Sequence, residues 1–278
     1  MTIRKIPFLF LVAFLLSVPN LLRAQTDVNL DAEFGGRVSL ALDKKITKGL
    51  HVAIEEEIRM DNNFSSFNRL HTTLSLSYKV NSNLKIGMGY AMINPYSTSN
   101  GVFNSSRHRF MLDATGSLRL GMWRLSLKER FQATYRSGEM NEYQNPRTAL
   151  TLKSRLKLQY KSQRVAEPYL AVELRNTLNA PVVSALYNGS SYMTESYSTT
   201  GEPGWFLDGF YNCYVNRLRG VIGAEVRLNR NNSFDICLMG DYVMDYVVDA
   251  NAEGTKLKSY TQEKGFVGWL SVGYKYSF

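Results

Sequence analysis

Leu70-His71-Thr72-Thr73-Leu74-Ser75-Leu76-Ser77-Tyr78-Lys79-Val80 changes character at nearly every step. Leu70, Thr72, Leu74, Leu76, Tyr78 and Val80 fall on one parity; His71, Thr73, Ser75, Ser77 and Lys79 fall on the other. Successive side chains of a β-strand point to opposite faces, so the stretch is a strand with one apolar and one polar face. The turn Asn81-Ser82-Asn83 follows, and Leu84, Ile86, Met88 and Tyr90 resume the alternation. On the N-terminal side Leu50, Val52, Ile54, Glu56, Ile58 and Met60 alternate with His51, Ala53, Glu55, Glu57 and Arg59. Further strands read as roughly 107–120, 123–136, 147–161, 167–178, 216–228, 233–245 and 264–278, after a first one ending near Asp43. They run about 10 to 15 residues, beyond the usual 5 or 6 of soluble sheets.

Long alternating segments are the mark of a transmembrane β-barrel. Hairpin register supports this. Across Gly121-Met122, Leu118 faces Leu125 and Asp113 faces Arg130. Across Asn81 to Asn83, Leu76 faces Met88 and Leu74 faces Tyr90. A slip of one residue would put charges among the apolar set. The apolar face then meets lipid and the charged face a lumen, the reverse of a soluble sandwich. Connections alternate too: short near 44–48, 81–83, 121–122, 162–166 and 229–232, long near 61–68, 94–106, 137–146, 179–204 and 246–263. Short periplasmic turns and long outer loops follow that rule. Eleven strands count back from the C-terminus. Both termini on one side require an even number, so Asp27 to Phe34, closed by Gly35-Gly36, supplies a twelfth, with ten as the alternative. The fold expected is an antiparallel all-β transmembrane barrel of about 12 strands. Glu56 and Glu129 break its apolar face, which calls for a β-bulge or a place near the membrane boundary.

Both ends of the chain carry export features. Arg4 and Lys5 precede an apolar run from Ile6 to Val18, and Ala24-Gln25 offers a cleavage point. That is a secretory signal peptide, 1–24, too short in its apolar core to span a membrane. The mature barrel is then 25–278. No Cys follows the apolar run, which excludes a lipoprotein. At the other end Leu270, Val272, Tyr274, Tyr276 and Phe278 alternate to the last residue. Tyr274, Tyr276 and Phe278 resemble the terminal motif by which outer-membrane barrels are recognised by the assembly machinery. The location implied is the bacterial outer membrane, with its lipids as partners. The formal charge of +9 falls to +6 once Arg4, Lys5 and Arg23 are removed, and an exported chain has no nucleic acid to meet. Cys213 and Cys237 lie too far apart for a disulfide, ten or more residues or roughly 30 Å along the strands.

The chain as a whole resembles an outer-membrane barrel family catalogued only as a domain of unknown function (number 2490). The residues that carry the resemblance are Leu50 to Met60 with its Glu57-Ile58-Arg59 ending, Pro168-Tyr169-Leu170 with Glu173-Leu174-Arg175, and Asn216-Arg217-Leu218-Arg219. The resemblance implies a barrel and no activity.

The polar face of 107–161 holds Arg107, Arg109, Arg119, Arg124, Lys128, Arg130, Arg136, Arg147, Lys153, Arg155 and Lys157, with Asp113 as its acid. The other wall mixes Glu55, Glu57, Glu173, Glu225, Asp235 and Asp241 with Arg175, Arg217, Arg219 and Arg227. A basic wall attracts anions and sets selectivity; paired with the other wall, it would plug a barrel of this width. The reading is a narrow, anion-preferring channel for small anions or acidic saccharides, or a structural envelope protein. A barrel-type lipid hydrolase (phospholipase or lipopolysaccharide deacylase) is the alternative, and would need a Ser–His pair. Only His51, His71 and His108 exist, and His108 near Ser105-Ser106, with Ser65 or Ser66 of another loop, is the best candidate. Tyrosines such as Tyr90, Tyr96, Tyr135, Tyr187, Tyr192 and Tyr197 suit an interfacial girdle, or a surface that binds glycans. No metal-ligand spacing and no cofactor motif are present.

Overall fold

A computed structural model describes residues 26–29, 32–161, 165–185, 205–253 and 257–278. The signal-peptide segment, Tyr187, Tyr192 and Tyr197 lie outside these. The described residues form strands and connections without a helix. In chain order the strands are β1 (Thr26–Asn29), β2 (Glu33–Thr47), β3 (Leu50–Asp61), β4 (Ser66–Lys79), β5 (Leu84–Ser97), β6 (Val102–Phe103), β7 (Arg107–Leu120), β8 (Trp123–Arg136), β9 (Thr148–Tyr160), β10 (Ala166–Ala185), β11 (Trp205–Arg227), β12 (Asn232–Ala250) and β13 (Leu257–Ser277). The two-residue β6 pairs only with β5, inside a loop. The rest make one sheet in sequence order, and β13 returns to pair with β2. Closure satisfies the backbone N–H and C=O groups of what would be edge strands, as a membrane requires.

The molecule is inside out. Leu40, Ile54, Leu74, Met88, Phe110, Leu112, Leu118, Leu158, Ile222 and Leu238 are exposed on the outer face, whereas Arg37, His71, Gln132, Arg219 and Asp241 are buried within. The hairpin registers are those the sequence dictates: Leu118 pairs with Leu125, Asp113 with Arg130, Leu76 with Met88 and Leu74 with Tyr90. Gly121 supports its two-residue turn with a left-handed φ of 60°, a conformation that glycine adopts without strain. The cysteines are free, with Cys237 paired to Gly223.

The strand count departs from an even number, for a physical reason. Eleven strands, β2 to β5 and β7 to β13, close the barrel, and the closing pair β13–β2 is parallel. Antiparallel closure would demand even parity; parallel closure does not. β1 is not a twelfth stave but lies parallel on β13, ahead of β2 along the same strand. Gly35-Gly36 is no turn either. A Cβ on Gly35 would come within 2.6 Å of the Trp269 ring, and one on Gly36 within 2.7 Å of Phe64. The pair therefore makes room on both faces of the seam. The indole of Trp269 stacks under the Arg37 guanidinium, 4.4 Å from its ring centroid, and Phe64 packs on Phe34 at 5.5 Å.

Two other expectations change. β10, β11 and β12 run well past 178, 216 and 245, so the long connections are shorter than the sequence suggests. No bulge turns Glu56 or Glu129 inward, since the ladder is unbroken at both. Each stays on the outer face and accepts a hydrogen bond from a neighbouring strand: Thr72 Oγ1 to Glu56 Oε2 at 3.0 Å, and Ser154 Oγ to Glu129 Oε2 at 2.6 Å.

Candidate functional site: the charged lumen

Alternation alone aims the odd-numbered residues of β7, β9, β10 and the second half of β11, and the even-numbered residues of β8, into the lumen, and register then sets which charges share a level. One level runs Asp113, Arg130, Lys153, Arg175, Arg217 across five adjacent strands. Four cations stand side by side in this arc. The next level toward the short turns runs Lys128, Arg155, Glu173, Arg219, Asp241. A second arc, Arg37–Arg59–Arg69, lies on β2, β3 and β4. Like charges directly opposite in a sheet destabilise it, so each arc needs compensation from another level or from outside the protein.

Part of it comes from acids on the same level or on levels close by. Asp113 receives two hydrogen bonds from Arg130, at 2.6 and 2.7 Å, and Lys128 lies 2.9 Å off. Asp241 is fully buried. It accepts from Arg219 Nε at 2.5 Å and Nη2 at 2.7 Å, and from Arg217 Nη1 at 3.1 Å. Glu57 accepts from Arg59 Nε at 2.6 Å, Glu225 from Lys157 at 2.6 Å, and Glu173 sits 3.6 Å from Arg219. Tyr169 reaches over Gly223 to donate to Asp235 at 2.8 Å while the Lys157 ammonium sits 3.8 Å above its ring. A Cβ on Gly223 would come within 2.8 Å of that ring, so glycine permits the crossing.

The compensation is incomplete. Among the described residues Arg37, Lys153, Arg155 and Arg175 have no carboxylate within the 4.0 Å of an ion pair. Nε of Arg37, Arg155, Arg175 and Arg217, and Nη2 of Arg37, are buried without a hydrogen-bond partner. A cavity of about 590 Å³ opens in the short-turn half of the lumen. Nine cations and five acids line it: Arg37, Arg59, Lys128, Arg130, Lys153, Arg155, Arg219, Arg227 and Lys275 against Glu55, Glu57, Glu173, Glu225 and Asp235.

Of the basic wall expected from sequence, Lys128, Arg130, Lys153 and Arg155 line this cavity. Arg147 precedes β9, and its guanidinium braces the loop, bonding the carbonyls of Arg136 and Gly138 and lying 3.3 Å from Glu142. Arg107 pairs with Arg136 at the long-loop end, and Arg119 with Arg124 at the short-turn end, so the β7–β8 wall is basic at both ends. Arg109 donates to Thr134 Oγ1 at 2.9 Å. Sequence reasoning missed Arg37, Arg59 and Arg69 on the opposite wall. Their signal was their parity with Glu57 and His71, which needed the β2–β3–β4 register to be read.

The loop 137–147 reaches across the long-loop mouth. Asn141 Nδ2 donates to the carbonyls of Ala250 and Asn251 at 2.9 and 3.1 Å, and Gln144 Nε2 donates to Asp249 Oδ1 at 2.9 Å.

Among the described residues no histidine is hydrogen-bonded to a serine. His108 Nδ1 meets the Tyr90 hydroxyl at 2.7 Å, His51 Nδ1 meets Asp43 at 2.9 Å, and His71 faces Glu57 at 3.9 Å. Ser106 instead donates to Asn94 and Ser65 to its own loop. Aromatic rings gather at both ends of the apolar belt, Phe67, Tyr96 and Phe103 at one and Trp123 with Tyr160 at the other. The terminal residue is tied into the seam: Phe278 N donates to Asp43 O at 2.9 Å, and Lys45 N to Phe278 O at 3.0 Å.

A family model described as "Protein of unknown function (DUF2490)" matches residues 37–188. Two of the three sequence stretches that carry the resemblance fall inside that span, and Asn216 to Arg219 lies beyond it. No curated protein matches the chain. Among solved structures, the NanC porin in a rhombohedral crystal form is similar at 10% identity and a TM-score of 0.43, over 88% of this chain and 98% of that one.

Proposed function

The chain belongs to the DUF2490 family of proteins of unknown function, and we propose that it is an outer-membrane barrel with a narrow, anion-preferring passage. The observation that carries this is the lining of the lumen cavity, nine cations against five acids, with the β7–β8 wall basic at both ends. Low-dielectric walls focus the field of such a surplus along the tube, and rings of Arg and Lys favour anions. The export features at both ends of the sequence and the interfacial aromatic rings support an outer-membrane location, with the long loops outside.

A second reading, a structural envelope protein with a closed lumen, is favoured by the buried Arg217–Arg219–Asp241 cluster and by the loop across the mouth. The lipid-hydrolase alternative gains nothing from the geometry, because His108 is engaged by Tyr90 rather than by a serine.

Conductance in a planar bilayer separates the readings. Chloride is expected to pass in preference to potassium, with the preference weakening as salt rises and screening shortens the reach of the charges. Arg119, Arg124 and Arg155 replaced together by Gln should lower the preference while the barrel still folds. A cation-selective pore, or a selectivity indifferent to the triple change, overturns the proposal. Absence of conductance in a folded barrel selects the structural reading.

A further inference from the structure

We propose that the lumen cavity contains a saturable site for the oxyanion group of a small solute, a phosphate or a carboxylate, held by Arg37, Lys153 and Arg155. This deepens the anion-preferring reading and rests on it for the direction of charge.

Three features separate this from a general positive potential. The three side chains belong to different parts of the wall, β2 and β9, yet line one cavity. None has a carboxylate within ion-pair distance among the described residues. Arg37 also keeps two guanidinium nitrogens, and Arg155 one, without any acceptor. A buried guanidinium with idle N–H groups is costly, and a sheet that adds like-charged neighbours to it is costlier still. The neighbouring cations are satisfied: Arg130 and Lys128 by Asp113, Arg59 by Glu57, Arg219 by Asp241. Within the cavity lining the deficit therefore falls on these three side chains and on Lys275, which also lacks an ion pair among the described residues and carries no such buried idle guanidinium.

The chemistry of the donors selects the ligand. A guanidinium offers N–H groups in a planar fork that matches two oxygens of one carboxylate or phosphate. Chloride cannot use that fork. Lys153 adds a compact charge with rotatable donors. A cavity of about 590 Å³ falls in the range of small-molecule sites and admits a solute of monosaccharide size. Tyr169 and the hydroxyls of Ser39, Ser233 and Ser271 in the lining can accept or donate to the rest of such a solute.

Arg37 stacks on Trp269, which supplies a readout that does not need ion flow. Purified full-length mature barrel in detergent is titrated with inorganic phosphate, with D-glucuronate and with D-glucose, at constant ionic strength set by chloride, following tryptophan emission. Phosphate, glucuronate or both should give a saturating change, and glucose none. The arm that saturates at lower concentration identifies the oxyanion. The change should vanish in Trp269→Phe. Arg155→Gln should raise the half-saturating concentration about tenfold, the loss of one charged fork. Arg37→Lys, which keeps the charge and removes the fork, should do the same should Arg37→Gln prove unable to fold.

A linear response, a response equal to that of added chloride, or half-saturation unchanged in both the Arg155 and Arg37 variants overturns the site. Saturation without chloride-selective conductance keeps the site and discards the channel. Selective conductance without saturation does the reverse.

Discussion

Replacing Asp241 by Asn tests whether the middle of the lumen is a dry, tightly coupled layer. The carboxylate is fully buried and takes three hydrogen bonds from two arginines, 2.5 and 2.7 Å from Arg219 and 3.1 Å from Arg217. The amide keeps the shape but turns one acceptor into a donor that opposes an Arg219 N–H. It also removes the charge that offsets the four-cation arc above. Breaking a buried ion pair by removing one partner costs about 3–5 kcal/mol, two to nearly four powers of ten in the folding equilibrium. Glu142→Gln is the internal control. Its carboxylate is 74% exposed and 3.3 Å from Arg147, and exposed pairs contribute less than about 1 kcal/mol. Urea unfolding of the barrel in short-chain phosphatidylcholine vesicles, followed by tryptophan fluorescence, measures both. A loss below about 1 kcal/mol for Asp241→Asn would mean that solvent screens the arginines, and would refute the picture of a dry charged layer.

Three further outcomes are expected. Phe278→Ala should lower the yield of heat-modifiable barrel in the outer membrane, since it removes the last aromatic ring of the terminal alternation, which stacks on Tyr276 at 5.7 Å and lies 5.2 Å from the Lys44 ammonium; unchanged yield counts against an assembly role. In a background lacking Cys213 and Cys237, cysteines at Asn100 or Glu253 should label with impermeant maleimide on intact cells, and those at Ser82 or Asn231 only after lysis. The opposite pattern inverts the barrel in the membrane. Cysteines replacing Asn141 and Asn251 should cross-link on oxidation, because the two residues are hydrogen-bonded across the mouth. Any conductance should then fall and recover on reduction; conductance that ignores the cross-link means the loop leaves the passage open.

The staves were legible in the sequence because alternation and a tight turn together determine which residues face each other. Asp113 opposite Arg130 needed nothing more than the two-residue turn at Gly121. The seam was not legible, because no turn joins β2 to β13 and parallel pairing leaves no local signature. Gly35-Gly36 reads as a turn in sequence, yet its missing side chains seat Trp269 and Phe64. The candidate site was half legible. The cations of β7 to β9 follow from parity, but the arc continuing to Arg175 and Arg217 depends on the β9–β10 and β10–β11 registers. Arg37, Arg59 and Arg69 were invisible as a group because each is a lone arginine in its own strand.

The parallel seam has a consequence for how the barrel can be built. β2 and β13 both run toward the short-turn end, so the polypeptide joins the wall at the long-loop end and leaves it at the other. A barrel with antiparallel closure keeps both ends of its chain on the side from which it inserts. With the long loops outside, as proposed, the leading edge would have to be drawn through the bilayer before β13 can find it, and whatever is fused ahead of Thr26 would travel with it. A short epitope there would end on the face of the long loops. A stably folded domain in the same place would arrest the wall as an open, unzipped sheet.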